Sequence, residues 1–447
     1  MRIDIWQGSK EQIALMIDDR SICYGELEQA IVKKTKELRL IQEHIVLLPL
    51  KRDLETVATL FACLRSQKIF VPLEETPSAI KIATIADQFK AAVYFGGTTK
   101  RFTNPTITTE LPDDTLFVGF TSGTTGAPKG FVRNHESWIK SFQGLDKEQW
   151  MEAGAYVACL SPLNYTLGLF ALLNALYLGK TFLLKPKNLA ELFKRIDRYS
   201  NLQIFGVPTF FRDFFKKEKG TNSSYFHVIL SGEYIDHTLR SDFFTFFPNA
   251  KLSDFYGSSE TSFIAINQKK NPDINELGKL FTGVKVKILN PDDYGIGEIT
   301  VESPLNFQGY YGKERIQQPD SFIKTGDLGR IQERLYYFGR VDERINRGGE
   351  KIIPFILETT LRKRAEIEDI KIVSAPDEIL GQKVIAMISW RSQKLNVERL
   401  NAYLDKELVF KGKIDEIVDR QTFKVNPSGK RATFSLNKIT EERPNAN

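Results

Sequence analysis

One stretch of this sequence constrains the fold more than any other. A short apolar run at residues 116–120 leads without a break into the sequence TSGTTGAPKG at residues 121–130. The apolar run is typical of a buried strand. The glycines that follow let backbone N–H groups approach an anion closely, while hydroxyl groups and a lysine add donors and positive charge. The stretch therefore predicts a buried strand followed by a loop that binds polyphosphate.

The spacing of this loop differs from that of the common P-loop. A P-loop needs a glycine, four further residues and then Gly-Lys-Ser/Thr, but Phe131 stands where the second glycine would follow Gly126. Residues 179–181 do read Gly-Lys-Thr, with Asn174 at the position of the first glycine. The loop at residues 121–130 is therefore predicted to be a phosphate loop of another kind.

Length and composition limit the class of protein. With 447 residues the chain is too long for one hydrophobic core, so we expect at least two domains. The net charge of +6 is small and unclustered, which argues against a nucleic-acid partner. The longest apolar stretch, residues 167–178, is well short of the about 20 residues that span a bilayer. Three cysteines and four histidines without metal spacing argue against disulfides and zinc and favour a cytoplasmic protein.

Apolar runs that predict strands alternate with helical patterns along the first part of the chain. Strands are expected near residues 45–50, 69–73 and 92–95, with a helical pattern at 55–64 between the first two. This alternation predicts an α/β fold with doubly wound, largely parallel sheets. In such folds, ligands bind beyond the carboxyl ends of the strands. From about residue 278 the pattern changes to β alternation with Gly and Pro turns, which predicts a β subdomain.

A second domain is expected at the carboxyl-terminal end. The segment GRVDERINRGGEK at residues 339–351 has no apolar period and is interpreted as a linker. The pattern after it predicts a small α+β domain. Its helices are expected at residues 354–364 and 396–406, and its strands at 370–373 and 384–390. We therefore predict a large domain at residues 1–341 and a small one at 342–447.

Four further polar clusters stand at predicted turns, where functional residues are common. They are YGSSET at residues 256–261, KTGD at 324–327, GRVD at 339–342 and NPSGK at 426–430. A tyrosine can stack on a purine, a carboxylate with hydroxyls can hold Mg²⁺ beside phosphates, and an aspartate can accept both hydroxyls of a ribose. Each cluster alone is also compatible with an ordinary turn, helix cap or surface lysine. Their joint occurrence in this order indicates a nucleotide site.

With these motifs the sequence resembles the acyl-adenylate-forming (AMP-binding) superfamily, which includes acyl-CoA synthetases, peptide-synthetase adenylation domains and firefly luciferase. The resemblance extends from YGEL at residues 24–27 to SGK at 428–430, and TSGTTGAPKG is its most specific motif. The short length and the sequence after the loop most resemble small long-chain fatty-acid–CoA ligases of Firmicutes. The resemblance implies two steps. A carboxylate attacks the α-phosphate of ATP to give acyl-AMP and pyrophosphate, and a thiol then displaces AMP.

The resemblance also implies roles for single residues. Lys430, Thr261 and Glu260 would be catalytic: Lys430 bridges the carboxylate and the α-phosphate, Thr261 contacts the α-phosphate, and Glu260 holds Mg²⁺. Asp327 would bind the ribose hydroxyls with Arg340 close by. The loop residues implied to hold the β- and γ-phosphates are Thr121, Ser122, Gly123, Thr124, Thr125, Gly126 and Lys129. The residues implied to enclose the adenine or lie beside it are Gly232, Glu233, Tyr256 and Gly257.

Two further roles follow from the resemblance. Asp342 corresponds to the hinge about which the small domain rotates between the two steps. That rotation would withdraw Lys430 and bring residues 347–350 to the thiol. Many acyl-CoA synthetases have histidine or an aromatic residue after Pro-Leu in the motif that reads PLNYT here, at residues 162–166. The gate of the acyl pocket is therefore assigned to Asn164 and Tyr165.

The acid and the thiol are left open by the sequence. The leading hypothesis is a ligase that joins a fatty or other apolar acid to CoA, with ATP and Mg²⁺ as cofactors. The alternatives are an enzyme that loads an acyl or aryl group onto the phosphopantetheine thiol of a carrier protein, and an o-succinylbenzoate–CoA ligase. A non-catalytic nucleotide-binding regulator is a third class, but Lys430, Asp327 and Glu260 are all present. The Phe-rich stretches at residues 205–215 and 243–247 would either line an apolar pocket or form ordinary core. We expect a monomer or a homodimer.

Overall fold

The structure, a computed structural model, describes residues 2–122, 128–147, 156–184, 188–199, 201–408 and 412–420. The chain divides into two compact units. The first unit comprises Met1–Pro272, Gly278–Lys285 and Val301–Ile323, and the second comprises Asp273–Leu277, Val286–Thr300 and Lys324–Asn447. The predicted domain boundary between residues 341 and 342 was drawn for a small domain that rotates. The division into compact units does not test it, so it stays a prediction.

Several helices begin at a residue whose side chain caps the first turn. For example, the side chains of Asp53 and Asn188 accept hydrogen bonds from backbone N–H groups in the first turns of the second and sixth helices. The described helices are α1 (Tyr24–Arg39), α2 (Leu54–Arg65), α3 (Ala79–Ala86), α4 (His135–Lys147), α5 (Thr166–Tyr177), α6 (Leu189–Lys194), α7 (Pro208–Lys217), α8 (His237–Phe246), α9 (Pro354–Leu361) and α10 (Val397–Glu407).

Strands form at the short apolar or alternating runs between these helices and in the β-rich segment after residue 275. In chain order they are β1 (Ile13–Ile17), β2 (Arg20–Cys23), β3 (Ile45–Pro49), β4 (Ile69–Leu73), β5 (Ala91–Phe95), β6 (Thr99–Thr103), β7 (Thr115–Ser122), β8 (Pro128–Asn134), β9 (Tyr156–Cys159), β10 (Thr181–Leu183), β11 (Gln203–Gly206), β12 (His227–Leu230), β13 (Lys251–Ser258), β14 (Ser262–Asn267), β15 (Glu276–Leu280), β16 (Lys285–Leu289), β17 (Gly297–Glu302), β18 (Gly309–Tyr311), β19 (Ile316–Gln317), β20 (Ile323–Ile331), β21 (Leu335–Arg340), β22 (Ile345–Arg347), β23 (Glu350–Ile352), β24 (Ile367–Asp377), β25 (Gly381–Trp390) and β26 (Glu416–Asp419).

The first unit is built around two sheets. One sheet has the strand order β14-β13-β12-β11-β9-β10-β1-β2, in which all neighbours from β13 to β1 are parallel. The other has the order β19-β18-β8-β7-β4-β3-β5-β6, with a parallel centre formed by β7, β4, β3 and β5. The prediction of an α/β fold with largely parallel sheets is therefore confirmed.

The Phe-rich stretches form core. One cluster of the first unit buries phenylalanines from the helices α6 to α8 and from the positions directly before β12 and after α8. Phe210, Phe244 and Phe246 are partly buried at its margin. The sequence left open whether these side chains line an apolar pocket or form ordinary core. Most of them form ordinary core, because they are buried and their rings contact one another.

Replacing Phe247 with alanine is expected to lower the free energy of unfolding by about 3–5 kcal/mol. The ring of Phe247 is fully buried, and its centroid lies 4.6 Å from that of Phe193 and 4.7 Å from that of Phe246. Phe244→Ala is the matched control, because Phe244 only borders the same cluster. Denaturant unfolding of both variants measures the difference. A loss at Phe247 no larger than at Phe244 would contradict the core assignment.

The second unit contains a β-rich part and a small α+β part. The strands β16, β17, β20 and β21 are neighbours in that order, and a further sheet has the order β23-β22-β25-β24 with β26 beside β25. The predicted helices and strands of the small domain are confirmed as α9, β24, β25 and α10.

The interpretation of residues 339–351 as a linker is wrong for part of the segment. Residues 345–347 and 350–352 form the hairpin of β22 and β23, in which Ile345 pairs with Ile352. Both isoleucines are 1% exposed and belong to the core of the small α+β part. The two apolar residues are too far apart in the sequence to produce a visible period, so only the folded hairpin brings them together.

Among the residues that the structure describes, no helix combines the length and the apolar character needed to cross a membrane.

Candidate active site

Four segments lie at or beyond the carboxyl ends of adjacent parallel strands in the first unit, and three of them contain predicted site residues. The neighbours β9, β11, β12 and β13 are in register, with Cys159 opposite Phe205, Gly206 opposite Leu230, and Leu230 opposite Asp254. Because parallel strands end at the same edge of a sheet, the segments 161–166, 207–209, 231–233 and 256–261 meet there. This edge gathers the predicted gate, adenine and metal residues of the first unit.

The predicted phosphate loop, TSGTTGAPKG at residues 121–130, follows β7 and leads into the antiparallel strand β8. In the pairing of β7 with β8, Thr121 lies opposite Lys129 and Ser122 opposite Pro128. The residues Gly123, Thr124, Thr125 and Gly126 lie outside the described residues. A P-loop joins a strand to a helix, whereas here strands flank the loop on both sides. That the loop binds phosphate stays a prediction.

Tyr310 joins the lysine of this loop to the carboxylate of the YGSSET motif. The Nζ atom of Lys129 lies 3.5 Å from the centroid of the Tyr310 ring. The phenol of Tyr310 donates a hydrogen bond of 3.1 Å to Oε1 of Glu260. Burial, together with the charge and the hydrogen-bonded carboxylate of Glu260, raises the pKa of Tyr310 above its usual range, so the phenol keeps its proton. No sequence pattern singles out Tyr310, because strand pairing creates these contacts.

The turn between β13 and β14 holds Glu260 through hydroxyl groups. The backbone N–H groups of Glu260 and Thr261 both donate to the Ser258 hydroxyl at 3.2 Å. The Thr261 hydroxyl in turn accepts from the Ser258 N–H at 3.1 Å. Thr261 is 1% exposed, so in this structure its side chain shapes the turn. Its contact to the α-phosphate stays a prediction.

A buried arginine, Arg133 on β8, fixes the main chain of the same turn. Its guanidinium is fully buried and donates to the carbonyl oxygens of Glu260 at 2.9 Å and Leu305 at 2.8 Å. It also donates to the Ser262 hydroxyl at 2.7 Å. Burial lowers the pKa of Arg133 to about 9, and the nearby Glu260 carboxylate opposes that shift. Sequence reasoning missed this residue, although its place directly after the apolar residues Phe131 and Val132 is a signal that could have indicated a buried arginine.

The predicted adenine residues lie just after β12 and at the end of the neighbouring strand β13. Gly232 has φ +93°, a conformation that L side chains rarely adopt. Oε2 of Glu233 accepts a hydrogen bond of 3.0 Å from the Thr209 hydroxyl in the first turn of α7. Tyr256 lies on β13 opposite Ala265 of β14. The structure therefore brings Gly232, Glu233 and Tyr256 to one edge and adds Thr209, which the sequence analysis did not select.

The predicted gate residues lie beside the YGSSET turn. Tyr165 precedes α5 and is 38% exposed. The hydroxyl groups of Thr166 and Ser259 are hydrogen-bonded at 2.8 Å, which connects the start of α5 to that turn. Arg52 donates to the carbonyl oxygen of Ser161 at 2.7 Å and so fixes the beginning of the segment that contains Asn164. The gate segment is anchored at both ends.

The predicted ribose residues lie together in the second unit. Asp327 and Arg340 are opposite one another in the pairing of β20 with β21, and their side chains form an ion pair of 2.8 Å. Nε of Arg340 lies 3.7 Å from the carboxylate of Asp342, which is largely exposed. Gly326 has φ +73°, and a Cβ there would lie 2.9 Å from the Arg340 guanidinium. Lys430 lies outside the described residues.

The chemistry of Glu260 fits a magnesium ion. Mg²⁺ is usually bound by one or two carboxylates together with substrate phosphates and water. Glu260 is a partly buried carboxylate whose Tyr310 neighbour also contacts the loop lysine. Within the described ranges, no group of three or more His, Cys, Asp or Glu side chains is placed to hold a metal ion.

Comparisons with known proteins agree on one family. A family model described as AMP-binding enzyme matches residues 96–311. A Staphylococcus epidermidis protein, provisionally named long chain fatty acid-CoA ligase VraA, is 33% identical over 303 residues, which cover 67% of this chain and 65% of that protein. A Bacillus subtilis protein named as the uncharacterized acyl-CoA ligase YhfT is 31% identical over 352 residues, covering 76% of this chain and 71% of that protein.

A solved structure supports the same fold. The crystal structure of ATP-bound MatB from Rhodopseudomonas palustris superposes with a TM-score of 0.81 and 18% sequence identity, and the match covers 98% of this chain and 96% of that one. At this level of identity the likeness concerns the fold alone.

Proposed function

The chain belongs to the AMP-binding enzyme family, and from that premise we propose that it activates a carboxylic acid with ATP and transfers the acyl group to a thiol. In the first step an oxygen of the carboxylate attacks the α-phosphorus of ATP, and the bond to pyrophosphate breaks. In the second step the thiolate sulfur attacks the carbonyl carbon of acyl-AMP, and AMP leaves. The observation that supports this proposal most is the contact of Tyr310 with both Lys129 and Glu260. It joins the phosphate loop to the metal carboxylate.

Each residue of the site has one role in this proposal. Lys129 and the loop at residues 121–126 bind the β- and γ-phosphates, and Asp327 accepts hydrogen bonds from the ribose hydroxyls. Lys430 holds the attacking carboxylate against the α-phosphate. Mg²⁺ at Glu260 would neutralise charge on the phosphates. Positioned cations of this kind stabilise the charge that develops during phosphoryl and adenylyl transfer.

The proposed substrate is a fatty or other apolar acid, and the proposed thiol is CoA. The names of the two relatives support CoA as acceptor and an acyl group as cargo. The exposed Tyr165 at the start of α5 fits a gate for an apolar chain, because its ring can cover the entrance while its hydroxyl stays in water. The phosphopantetheine thiol of a carrier protein is the alternative acceptor.

Two assays test the proposal in sequence. ATP–pyrophosphate exchange is measured with the full chain over fatty acids of several lengths, benzoate, o-succinylbenzoate and amino acids. We expect exchange with fatty or other apolar acids and none with amino acids. Thioester formation is then measured with CoA and with a phosphopantetheinylated carrier protein. If no acid supports exchange, the ligase proposal fails. If exchange occurs and only the carrier is acylated, CoA is the wrong acceptor.

A further inference from the structure

We propose that Tyr310 is a positioning residue that prepares both Glu260 and Lys129 to receive the phosphates of ATP and their Mg²⁺. This inference rests on the proposed function and adds a residue to its site. Tyr310 belongs to none of the motifs that identify the loop or the metal carboxylate. It lies on β18, which pairs with β8 next to the loop.

The hydroxyl group of Tyr310 orients the Glu260 carboxylate. It donates to Oε1 at 3.1 Å, while Oε2 receives no hydrogen bond from the described part of the chain. Carboxylates that bind a metal are commonly held by such an outer hydrogen bond, which fixes their rotation. We infer that the phenol occupies one oxygen and leaves the other for the cation.

The backbone around Tyr310 supports the same orientation. The N–H of Phe307 donates to the carbonyl oxygen of Glu260 at 2.7 Å. The ring of Phe307 packs edge-on against the ring of Tyr310, with 4.9 Å between centroids. The segment of residues 307–310 therefore holds Glu260 at two points, one on the main chain and one on the side chain. The phenol cannot turn away without losing its packing.

The ring of Tyr310 positions Lys129. In the pairing of β8 with β18, Tyr310 lies opposite Phe131, so Lys129 is its diagonal neighbour on the same face. The ammonium group lies 3.5 Å from the ring centroid, within the range of a cation–π contact. Holding an exposed lysine over a ring restricts its rotamers, and that lowers the entropy lost when it binds a phosphate.

Two substitutions separate the two contacts. Tyr310→Phe removes the hydroxyl and keeps the ring, whereas Tyr310→Leu removes both. Tyr311→Phe is the matched control, because it removes a hydroxyl from the next residue, whose ring packs on Phe89 with 5.0 Å between centroids. Binding of ATP to the full chain is measured by calorimetry, first with EDTA and then with increasing Mg²⁺. The same variants are compared in pyrophosphate exchange, with KM for ATP and kcat determined separately.

The expected results differ between the variants. Tyr310→Phe should bind ATP normally in EDTA but require about tenfold more Mg²⁺ for half-maximal enhancement. Tyr310→Leu should in addition bind ATP about tenfold more weakly in EDTA, because the aromatic ring that positions the Lys129 ammonium group is removed. Tyr311→Phe should match the wild type in both measurements.

The inference is overturned if Tyr310→Phe has the same Mg²⁺ requirement as Tyr311→Phe, or if it weakens ATP binding equally with and without Mg²⁺. A wild-type chain that binds ATP but exchanges pyrophosphate with no acid defeats the proposed function instead, and the Mg²⁺ titration still decides the role of Tyr310.

Discussion

Lys430→Ala is expected to lower the rate of acyl-AMP formation by at least about 10²–10³-fold, the usual cost of removing one group that stabilises charge in a transition state. The proposed function gives Lys430 contacts to both the attacking carboxylate and the α-phosphate in the first step only. Pyrophosphate exchange measures this step. Thioester formation from supplied acyl-AMP and CoA measures the second step. Because Lys430 makes no proposed contact in that step, we expect its rate to stay within about threefold of the wild-type rate.

The matched control for this substitution is Lys413→Ala, an exposed lysine of the same unit. It should leave both steps unchanged. If Lys430→Ala slows the two steps equally, the lysine does not act in the first step alone, and the hinge assigned to Asp342 loses its support. If exchange survives in Lys430→Ala, the catalytic assignment of Lys430 is wrong.

Gly257→Ala is expected to reduce exchange activity by about 100-fold, the cost of misplacing a catalytic group by about 1 Å. A Cβ at position 257 would lie 1.8 Å from the backbone oxygen of Ser262, so one of the two strands must move. The register of β13 and β14 already shifts between Tyr256 and Gly257. Because the turn that follows contains Glu260, its displacement moves the carboxylate that is proposed to hold Mg²⁺. We also expect a loss of about 1–3 kcal/mol in the free energy of unfolding.

Gly206→Ala provides the comparison for stability. Gly206 ends the parallel strand β11, and the nearest atom to an added Cβ lies at 3.7 Å, an ordinary contact. This substitution should be neutral or stabilising by up to about 1 kcal/mol. Denaturant unfolding of the two variants separates the close approach at Gly257 from the general effect of adding a methyl group to a glycine in a strand. Equal stability of the two variants would contradict the argument.

Much of the fold was predictable because its signals are local. The alternation of apolar runs and helical patterns predicts the parallel sheets, and the pattern after residue 354 predicts α9, β24, β25 and α10. The hairpin of β22 and β23 was missed, because its buried isoleucines are separated by charged residues and two glycines. A short hairpin with one apolar residue per strand produces no period that a sequence pattern can detect.

The motifs of the candidate site were predictable for a related reason. Each of them is a continuous run in which glycine, hydroxyl and charged residues have fixed spacing, so TSGTTGAPKG and YGSSET are visible without any tertiary contact. The supporting residues are single side chains at ordinary positions. Arg133 and Tyr310 act on Glu260 from other strands, and Tyr310 lies 50 residues away from it in the chain.

The sequence by itself determined the family, the order of the motifs and the residue types that can bind a nucleotide, since these depend on composition over a few neighbouring positions. Only the tertiary structure decided which side chains hold those residues in place. The pairing of β8 with β18 brings the ring of Tyr310 under Lys129, and the burial of Arg133 places a cation against the carbonyl oxygen of Glu260. The physical reason is that strand register and burial are set by the packing of the whole unit, so distant residues become neighbours without any local pattern.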